Sequence, residues 1–427
     1  MTVRGIRWFG GGRCLAVDEE TGETYTVARL MPGERATVVR YERGGRRFPV
    51  ADRILKPSPH RIAPSCRHYA ACAGCDLLHV TEAEEAAYKR LTVTEVLARH
   101  ADVSVEFVDA VGGAARGAHR ARARFTVTRN HGRVSLGLRG LSGAVLDIAD
   151  CPASVPVVRV TMAELRDLIE RMPMLPLTGV EVAAGVEGVA VTFETLAWDD
   201  ERGAALVADV QALPVVVATA VREKGGDVRL LSGAWPRQLS VCDVQLEPAP
   251  DAWTQPTPTR ATALYSWVLG LGLHHGRRVL DATCGTGGLA LALASTAREV
   301  VGVDANWDAV KSAMASAQAL GLTNTRFRGG KIETVAPRLG ADGERFETLV
   351  INPMRRSLGD QCMADLSALG AGSIVYLAPA PRAGASDVRA LASQGFTVER
   401  VASVNLHPGT SKGLMAVVMS RPSPARG

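Results

Sequence analysis

Changes in the rhythm of apolar and polar positions divide this chain into segments. From residue 1 to about 57 the pattern alternates in short runs: Ile6-Arg7-Trp8-Phe9, Thr24-Tyr25-Thr26-Val27, Arg35 to Arg40 and Val50 to Leu55. Alternation with period two puts successive side chains on opposite faces of a strand. Gly10-Gly11-Gly12, Glu20-Thr21-Gly22, Pro32-Gly33 and Gly44-Gly45 separate the runs and supply turns, so a small antiparallel β-barrel is expected. Helical spacing follows from Thr81 to His100, with Ala86, Ala87, Leu91, Val96 and Leu97 as its apolar face and Thr81 with Glu84 as a capping box. Period two returns at Arg120-Ala121-Arg122-Ala123-Arg124-Phe125, which places three guanidinium groups on one strand face. Between Val157 and Leu246 the pattern gives a helix capped at Thr161 and strands such as Val189 to Phe193 and Leu206 to Val210.

Beyond the proline-rich stretch Pro248 to Pro258, strands and helices alternate to the end: Arg278 to Asp281, Glu299 to Asp304, Thr325 to Arg328, Thr348 to Asn352, Ser373 to Leu377, Thr397 to Val401 and Leu414 to Met419. That succession predicts a doubly wound, Rossmann-like α/β sheet. The expected organisation is multidomain: a small OB-like β-barrel over 1–57, an α+β middle domain over 58–247 and an α/β domain over 248–427.

Composition narrows the class. Hydrophobic residues are 47% and charged residues 22% of 427, which suits a globular protein with two or three cores. There is no unbroken apolar run of 18 residues and no basic-then-apolar segment at Met1 to Gly10, so a cytoplasmic protein without a membrane partner is expected, as a monomer. Eight cysteines then read as thiols or metal ligands rather than disulfides. The net charge of +5 is mild, but the positive charge is mostly arginine and bunched, which favours a nucleic-acid partner. Arg43, Arg46 and Arg47 at a hairpin tip could meet a phosphate backbone or simply be solvated. Arg120, Arg122 and Arg124 repel one another unless something anionic lies across them, and RNA is the expected anion.

Two motifs carry chemistry. Cys66, Cys72 and Cys75 fall within ten residues, and Cys151 is the best fourth ligand; four thiolates fit zinc or a 4Fe–4S cluster. The second motif is Val279-Leu280-Asp281-Ala282-Thr283-Cys284-Gly285-Thr286-Gly287-Gly288, followed by a second acid-ended strand at Asp304. Glycines let a ligand approach the main chain, and a strand-end carboxylate can accept from ribose hydroxyls. The third glycine of the dinucleotide fingerprint is missing at its offset. The stretch resembles the S-adenosylmethionine loop of class I methyltransferases.

Taken together, barrel, cysteine cluster, arginine-rich middle domain and this loop resemble the RNA uracil-C5 methyltransferase family over nearly the whole chain. Residues 1–57 resemble a TRAM domain, an RNA-binding barrel, at Leu30-Met31-Pro32-Gly33-Glu34 and Leu55-Lys56-Pro57-Ser58-Pro59-His60-Arg61, and Cys75-Asp76-Leu77-Leu78-His79 matches the family's cysteine pattern. The resemblance implies a 4Fe–4S cluster on Cys66, Cys72, Cys75 and Cys151, tRNA or rRNA as partner, and a cofactor and target site lined by Gln255, Asp281, Gly285, Gly287, Asp304 and Asn352.

Family chemistry needs a cysteine that adds to uracil C6 and a carboxylate that takes the C5 proton. The family's Ser-Cys-Asn-Pro turn is Ala378-Pro379-Ala380-Pro381 here, with Pro379 at the nucleophile. The family's Pro-x-Thr-x-His-Val-Glu is Pro408-Gly409-Thr410-Ser411-Lys412-Gly413-Leu414, with Leu414 at the base. The family's Asp-Pro-Pro-Arg is Asn352-Pro353-Met354-Arg355, and Lys331 stands where an acceptor for the adenine amine is expected. Cysteine-dependent uracil methylation is therefore expected to be lost. Either the chain binds RNA without that reaction, or it methylates by non-covalent chemistry on an exocyclic amine, which Asn352-Pro353 resembles.

Overall fold

The computed structural model describes residues 1–421 except 114, 131–132, 149, 173–174 and 355, with backbone alone at 43, 46 and 130. The N-terminal strands β1 (Thr2–Phe9), β2 (Arg13–Asp18), β3 (Thr24–Ala28), β4 (Arg35–Arg43) and β5 (Arg46–Lys56) close into a barrel in the order β1-β2-β3-β5-β4. Their inward positions Val3, Cys14, Ala16, Val27 and Ala36, with Leu30 just beyond β3, supply its core. Gly44 and Gly45, both at positive φ, turn β4 into β5. The side chains of Arg43 and Arg46 lie outside the described residues, while Arg47 is exposed and paired with Glu42 at 3.1 Å.

Helix α1 (Glu82–His100) begins where expected, with the Thr81 hydroxyl accepting from the Glu84 amide at 3.3 Å. The capping box is only half formed, because the Glu84 carboxylate accepts instead from Trp8 Nε1 of the barrel at 2.7 Å. The expected apolar face is also corrected: Leu91 is exposed, and Glu85, Tyr88, Lys89, Val93 and Leu97 are buried. An i,i+4 carboxylate–ammonium pair thus goes inside. After α1 comes the short strand β6 (Asp109–Val111).

The middle domain comprises β7 (Arg122–Asn130), β8 (Arg133–Arg139), β9 (Val145–Asp147), α2 (Pro156–Glu170), β10 (Leu177–Ala184), β11 (Val189–Thr195), α3 (Asp200–Gln211), β12 (Val216–Glu223) and β13 (Val228–Gly233). Its strands form one sheet in the order β13-β12-β11-β10-β7-β8-β9. Helix α2 starts at Pro156 rather than at Thr161, whose hydroxyl bonds back to the Val157 carbonyl. Leu206 to Val210 belong to α3, not to a strand; Asp199 caps that helix by accepting from the Arg202 amide at 3.0 Å.

The remaining elements are α4 (Pro258–Gly270), β14 (Arg278–Asp281), α5 (Gly288–Ala294), β15 (Glu299–Asp304), α6 (Trp307–Ala319), β16 (Thr325–Gly329), α7 (Ile332–Ala341), β17 (Thr348–Ile351), α8 (Asp360–Ser367), β18 (Ser373–Ala378), α9 (Pro381–Ser393), β19 (Thr397–Val404) and β20 (Leu414–Ser420). The sheet order is β16-β15-β14-β17-β18-β20-β19-β6, with β20 antiparallel to both neighbours. Chain direction across the sheet reverses beside β14, the position where open α/β sheets leave a crevice at their carboxyl ends. The boundary expected at 248 does not divide this layer: β6 pairs in parallel with β19, and Val93 and Leu97 of α1 share a core with Leu339, Phe346, Leu391 and Phe396. Among the described residues no helix is long and apolar enough to cross a membrane.

Candidate active site

The crevice beside β14 is built from backbone as much as side chain. Strand β14 ends at Asp281, and the turn after it is held by three amide bonds: Cys284 N–H to the Val303 carbonyl (2.8 Å), Gly285 N–H to Asp304 Oδ2 (2.9 Å) and Gly287 N–H to the Cys284 carbonyl (3.0 Å). The other Asp304 oxygen accepts from the Asn306 amide at 2.8 Å. The two glycines differ. Gly285 has φ +54° and open space where a Cβ would stand, whereas a Cβ on Gly287 would lie 2.8 Å from the Ala313 Cβ. Gly285 is therefore the face a ligand can approach, and Gly287 is spent on packing α5 against α6. The Asn352 amide donates to Thr283 Oγ1 at 2.9 Å, which ties the exit of β17 to the same turn. Gln255 bonds the hydroxyl of buried Tyr265, whose ring lies against Gly288.

Asp281 is 2% exposed. Burial pushes its carboxyl up to about 7; the Thr283 amide opposes that shift and the Asp304 charge adds to it. Gln255, Asp281, Gly285, Asp304 and Asn352 come together here, and Gly287 stands behind them. Sequence reasoning missed Trp307: its indole lies across Gly329, close enough that any side chain there would collide, and forms an exposed flat wall next to Asp304. A tryptophan just after the Asn306 cap of the helix following an acid-ended strand was the available signal. Lys331, exposed, occupies the cap position of α7.

Pro379 is exposed at the exit of β18. Leu414 is 3% exposed, the first residue of β20, opposite Val404 and in the core with Leu406 and Ala416. Of the four cysteines outside the expected cluster, the two nearest the crevice make poor nucleophiles: Cys362 is buried on α8 with its thiol pushed up to about 12, and burial raises Cys284 well above its usual range. Arg355 lies outside the described residues.

The loop between β19 and β20 is clamped from two sides. Buried Glu85 of α1 accepts from the Gly409 amide (2.9 Å), Lys89 Nζ (2.8 Å) and Arg116 (2.6 Å), and Lys89 also reaches Asn405 Oδ1 at 2.7 Å. Asp76, next to Cys75, accepts from the Ser411 amide and hydroxyl, both at 2.6 Å. The cysteine loop is itself strapped to the barrel, where Arg29 donates to the carbonyls of Ala70 (2.6 Å) and Cys72 (2.9 Å), and to β8, where the Ala73 amide bonds the Arg139 carbonyl at 3.2 Å.

All four expected cluster thiols are free. Cys72 Sγ accepts from the Gly74 amide at 3.3 Å. Burial pushes the Cys75 thiol up to about 12; Arg120 opposes this, and the charges of Cys151, Cys72 and Cys66 add to it, so the four thiols lie within electrostatic reach of one another. Among the described residues no group of three or more His, Cys, Asp or Glu is arranged to hold a metal ion.

The arginine face of β7 is corrected. Arg122 pairs with Glu181 of β10 at 2.6 Å and Arg124 with Glu194 of β11 at 2.6 Å; Arg222 of β12 bridges Glu194 and Asp251. The anion across the stripe is protein carboxylate from neighbouring strands. Arg120, which precedes β7, has no ion pair among the described residues.

Comparison with known proteins finds RNA methyltransferases similar to this chain over most of its length. The profile of a methyltransferase domain matches residues 273–379. The 23S rRNA (uracil(1939)-C(5))-methyltransferase RlmD of Xanthomonas campestris is 29% identical over 412 residues, covering 92% of this chain and 91% of that protein. The enzyme of the same name from Vibrio cholerae is 27% identical over 364 residues, covering 84% and 82%. Over most of its length the chain is similar to RNA uracil-C5 methyltransferases. A solved structure agrees in fold: the Pyrococcus abyssi tRNA (uracil-54, C5)-methyltransferase in complex with S-adenosyl-L-homocysteine superposes with a TM-score of 0.78 at 21% identity, covering 98% of this chain and 99% of that one. The fold of this chain is thus a small N-terminal barrel and a C-terminal methyltransferase domain around a middle sheet.

Proposed function

We propose that this chain binds S-adenosylmethionine and an RNA, tRNA or rRNA, without making 5-methyluridine by thiol addition. The carrying observation is the pair Pro379 and Leu414. A proline at the exit of β18 offers no nucleophile, and Leu414 faces a packed core rather than a pocket. The cofactor half of the reading draws on the acid pair Asp281 and Asp304 under the open face of Gly285, which suits a ligand carrying a sulfonium and an ammonium. Asp304 and Gln255 would then meet the ligand's polar groups, and Trp307 its flat base. The N-terminal barrel takes the TRAM role of RNA contact.

Cys66, Cys72, Cys75 and Cys151 would hold a 4Fe–4S cluster. The chemistry of the donor set fits: burial and the neighbouring cysteines make thiolate costly at Cys72 and Cys75, a cost that a bound cation would remove, and Cys72 already takes an amide hydrogen bond. A cluster there would supply either electrons or a covalent clasp on the loop. A second reading, methylation of an exocyclic amine, draws on Asn352, whose backbone is fixed by Thr283 while its side-chain amide makes no hydrogen bond among the described residues.

The test is transfer from labelled S-adenosylmethionine to RNA of a strain lacking the gene, with anaerobically purified protein, beside calorimetric binding of the cofactor. The expected outcome is cofactor binding with no labelled 5-methyluridine. Appearance of 5-methyluridine would refute the reading; a labelled amino-methylated nucleoside would establish the second.

A further inference from the structure

A polar cluster at the junction of the middle domain, the cysteine loop and the β19–β20 loop is used by none of the above. His119 lies on a segment whose backbone is strapped to residues 152–155: Ala118 N–H to the Pro152 carbonyl (2.9 Å), His119 and Arg120 N–H to the Ala153 carbonyl (3.0 and 2.8 Å), and Val155 N–H to the Arg120 carbonyl (3.0 Å). The His119 side chain is 5% exposed, and neither ring nitrogen has a hydrogen-bond partner among the described residues. His407 sits on the β19–β20 loop, with its carbonyl fixed by Lys89 Nζ (3.2 Å) and Thr410 Oγ1 (2.8 Å); its Nδ1 is also buried and without a partner among the described residues. Buried polar atoms are seldom left so, and such a group calls for a ligand or ordered water.

The charge around the rings says which ligand. Arg120 acts on both imidazoles, with Arg260 and, weaker and of opposite sign, Glu85 acting on His119, and Lys412 and Lys89 on His407. Lys89 is answered by Glu85, and Arg260 donates to the Ala115 carbonyl at 2.6 Å. Arg120 has no carboxylate among the described residues, unlike Arg122 and Arg124 two and four positions on. A neutral imidazole presents one N–H and a guanidinium a fork of donors, a set that matches tetrahedral oxyanion acceptors. The same cations oppose a metal ion between the two rings.

We infer that His119, Arg120 and His407 form a seat for a phosphate group. Resting on the RNA reading above, the phosphate is a phosphodiester of the bound RNA; a free phosphate shares the chemistry and is separated by experiment. The seat would fix the backbone of RNA between the cysteine loop and the methyltransferase crevice.

The full chain, labelled with ¹⁵N-imidazole histidine, is titrated with inorganic phosphate. Two of the nine histidines are expected to shift in the wild type, not in R120Q, and partly in R120K. Total-RNA affinity at fixed salt is expected to fall about ten- to a hundred-fold in R120Q and H407F, the loss of one charge-assisted bond set. Both variants are first checked for a wild-type melting profile, and the wild-type titration needs no variant. Histidine shifts with unchanged RNA affinity would assign the seat to free phosphate and overturn the RNA source. No histidine shift, with unchanged RNA affinity in both variants, would overturn the seat while leaving the RNA reading standing. If the wild type bound no RNA, that reading would fall, and the phosphate titration would still decide the seat.

Discussion

Replacing Glu85 by glutamine probes the clamp that fixes the β19–β20 loop. The substitution keeps the shape and removes one negative charge. Glu85 is fully buried, and its two cationic partners, Lys89 and Arg116, are 2% and 10% exposed at the side chain. In the wild type the trio carries one net positive charge; in E85Q it carries two, still desolvated, and the amide nitrogen must face the Gly409 amide or a cation. Removing one partner of a buried ion pair costs about 3–5 kcal/mol because the survivor stays buried. The full figure is expected here, since the Glu85 and Lys89 side chains are almost wholly buried. A chain with several domains need not unfold in one step, so the readout is hydrogen exchange of peptides covering 82–90 and 404–415, alongside the first transition in urea. E85Q should raise exchange in both peptides together. E85Q with Lys89→Met should recover part of the loss, with a coupling of about 1–3 kcal/mol. A loss below about 1 kcal/mol, or strictly additive effects, would refute the argument that this is one desolvated charge network.

Asp281 gives a pH prediction. Its folded carboxyl sits near 7 against an ordinary value of 3.8, so the native state holds the proton between those values, and its contribution to stability is lost as pH rises through 7. Asp281→Asn should therefore melt higher than wild type at pH 8, by up to about 4 kcal/mol, with little difference near pH 4, and differential scanning at both pH values checks it. Gly285→Ala, strained at φ +54° but with open space around it, should cost about 1–2 kcal/mol and weaken cofactor binding, whereas Gly287→Ala, at φ +84° and against Ala313, should cost more; calorimetry on both separates the roles. Arg122→Ala should destabilise the middle domain by about 1–3 kcal/mol with RNA affinity within about two-fold of wild type, because its partner is Glu181. In the double variant Pro379→Cys with Leu414→Glu, the new thiol should label readily with an alkylating reagent, while the buried glutamate costs about 3–5 kcal/mol in a urea titration.

The parts of this chain most legible in the sequence are those whose pattern is local. The alternating barrel strands, the strand–turn–helix at Asp281 to Ala294 and the succession of strands after residue 278 follow from period and turn chemistry alone. Glu85 and Lys89 mislead because a charged i,i+4 pair ordinarily marks a solvated face, and only the distant Gly409 and Asn405 make it an inside pair. Arg122 and Arg124 mislead for the complementary reason: a stripe of like charge on one strand looks uncompensated until the register sets Glu181 opposite Arg124 and brings Glu194 alongside. Leu206 to Val210 is apolar enough for a strand, but the cap at Asp199 that makes it a helix lies upstream of the apolar run. In the crevice, the two acids and Gly285 are legible. Trp307 is not, because its role depends on Gly329 beneath it, on another strand.

The pairing of β6 with β19 also bears on the order in which the chain is made. Ala110 emerges from the ribosome roughly two-thirds of the chain's length before Ser403, its neighbour in the sheet. Until Leu339 to Phe396 are made, Val93 and Leu97 of α1 lack the core that covers them, and Glu85 and Lys89 wait longer, for the loop that carries Asn405 and Gly409. The barrel can close on the nascent chain, but the sheet edge cannot. A polypeptide stalled before residue 339 would expose the inner side of α1 to solvent and to chaperones, and one stalled before residue 400 would still leave β6, Glu85 and Lys89 without their partners, so the last strands to be translated complete a layer begun among the first hundred or so residues.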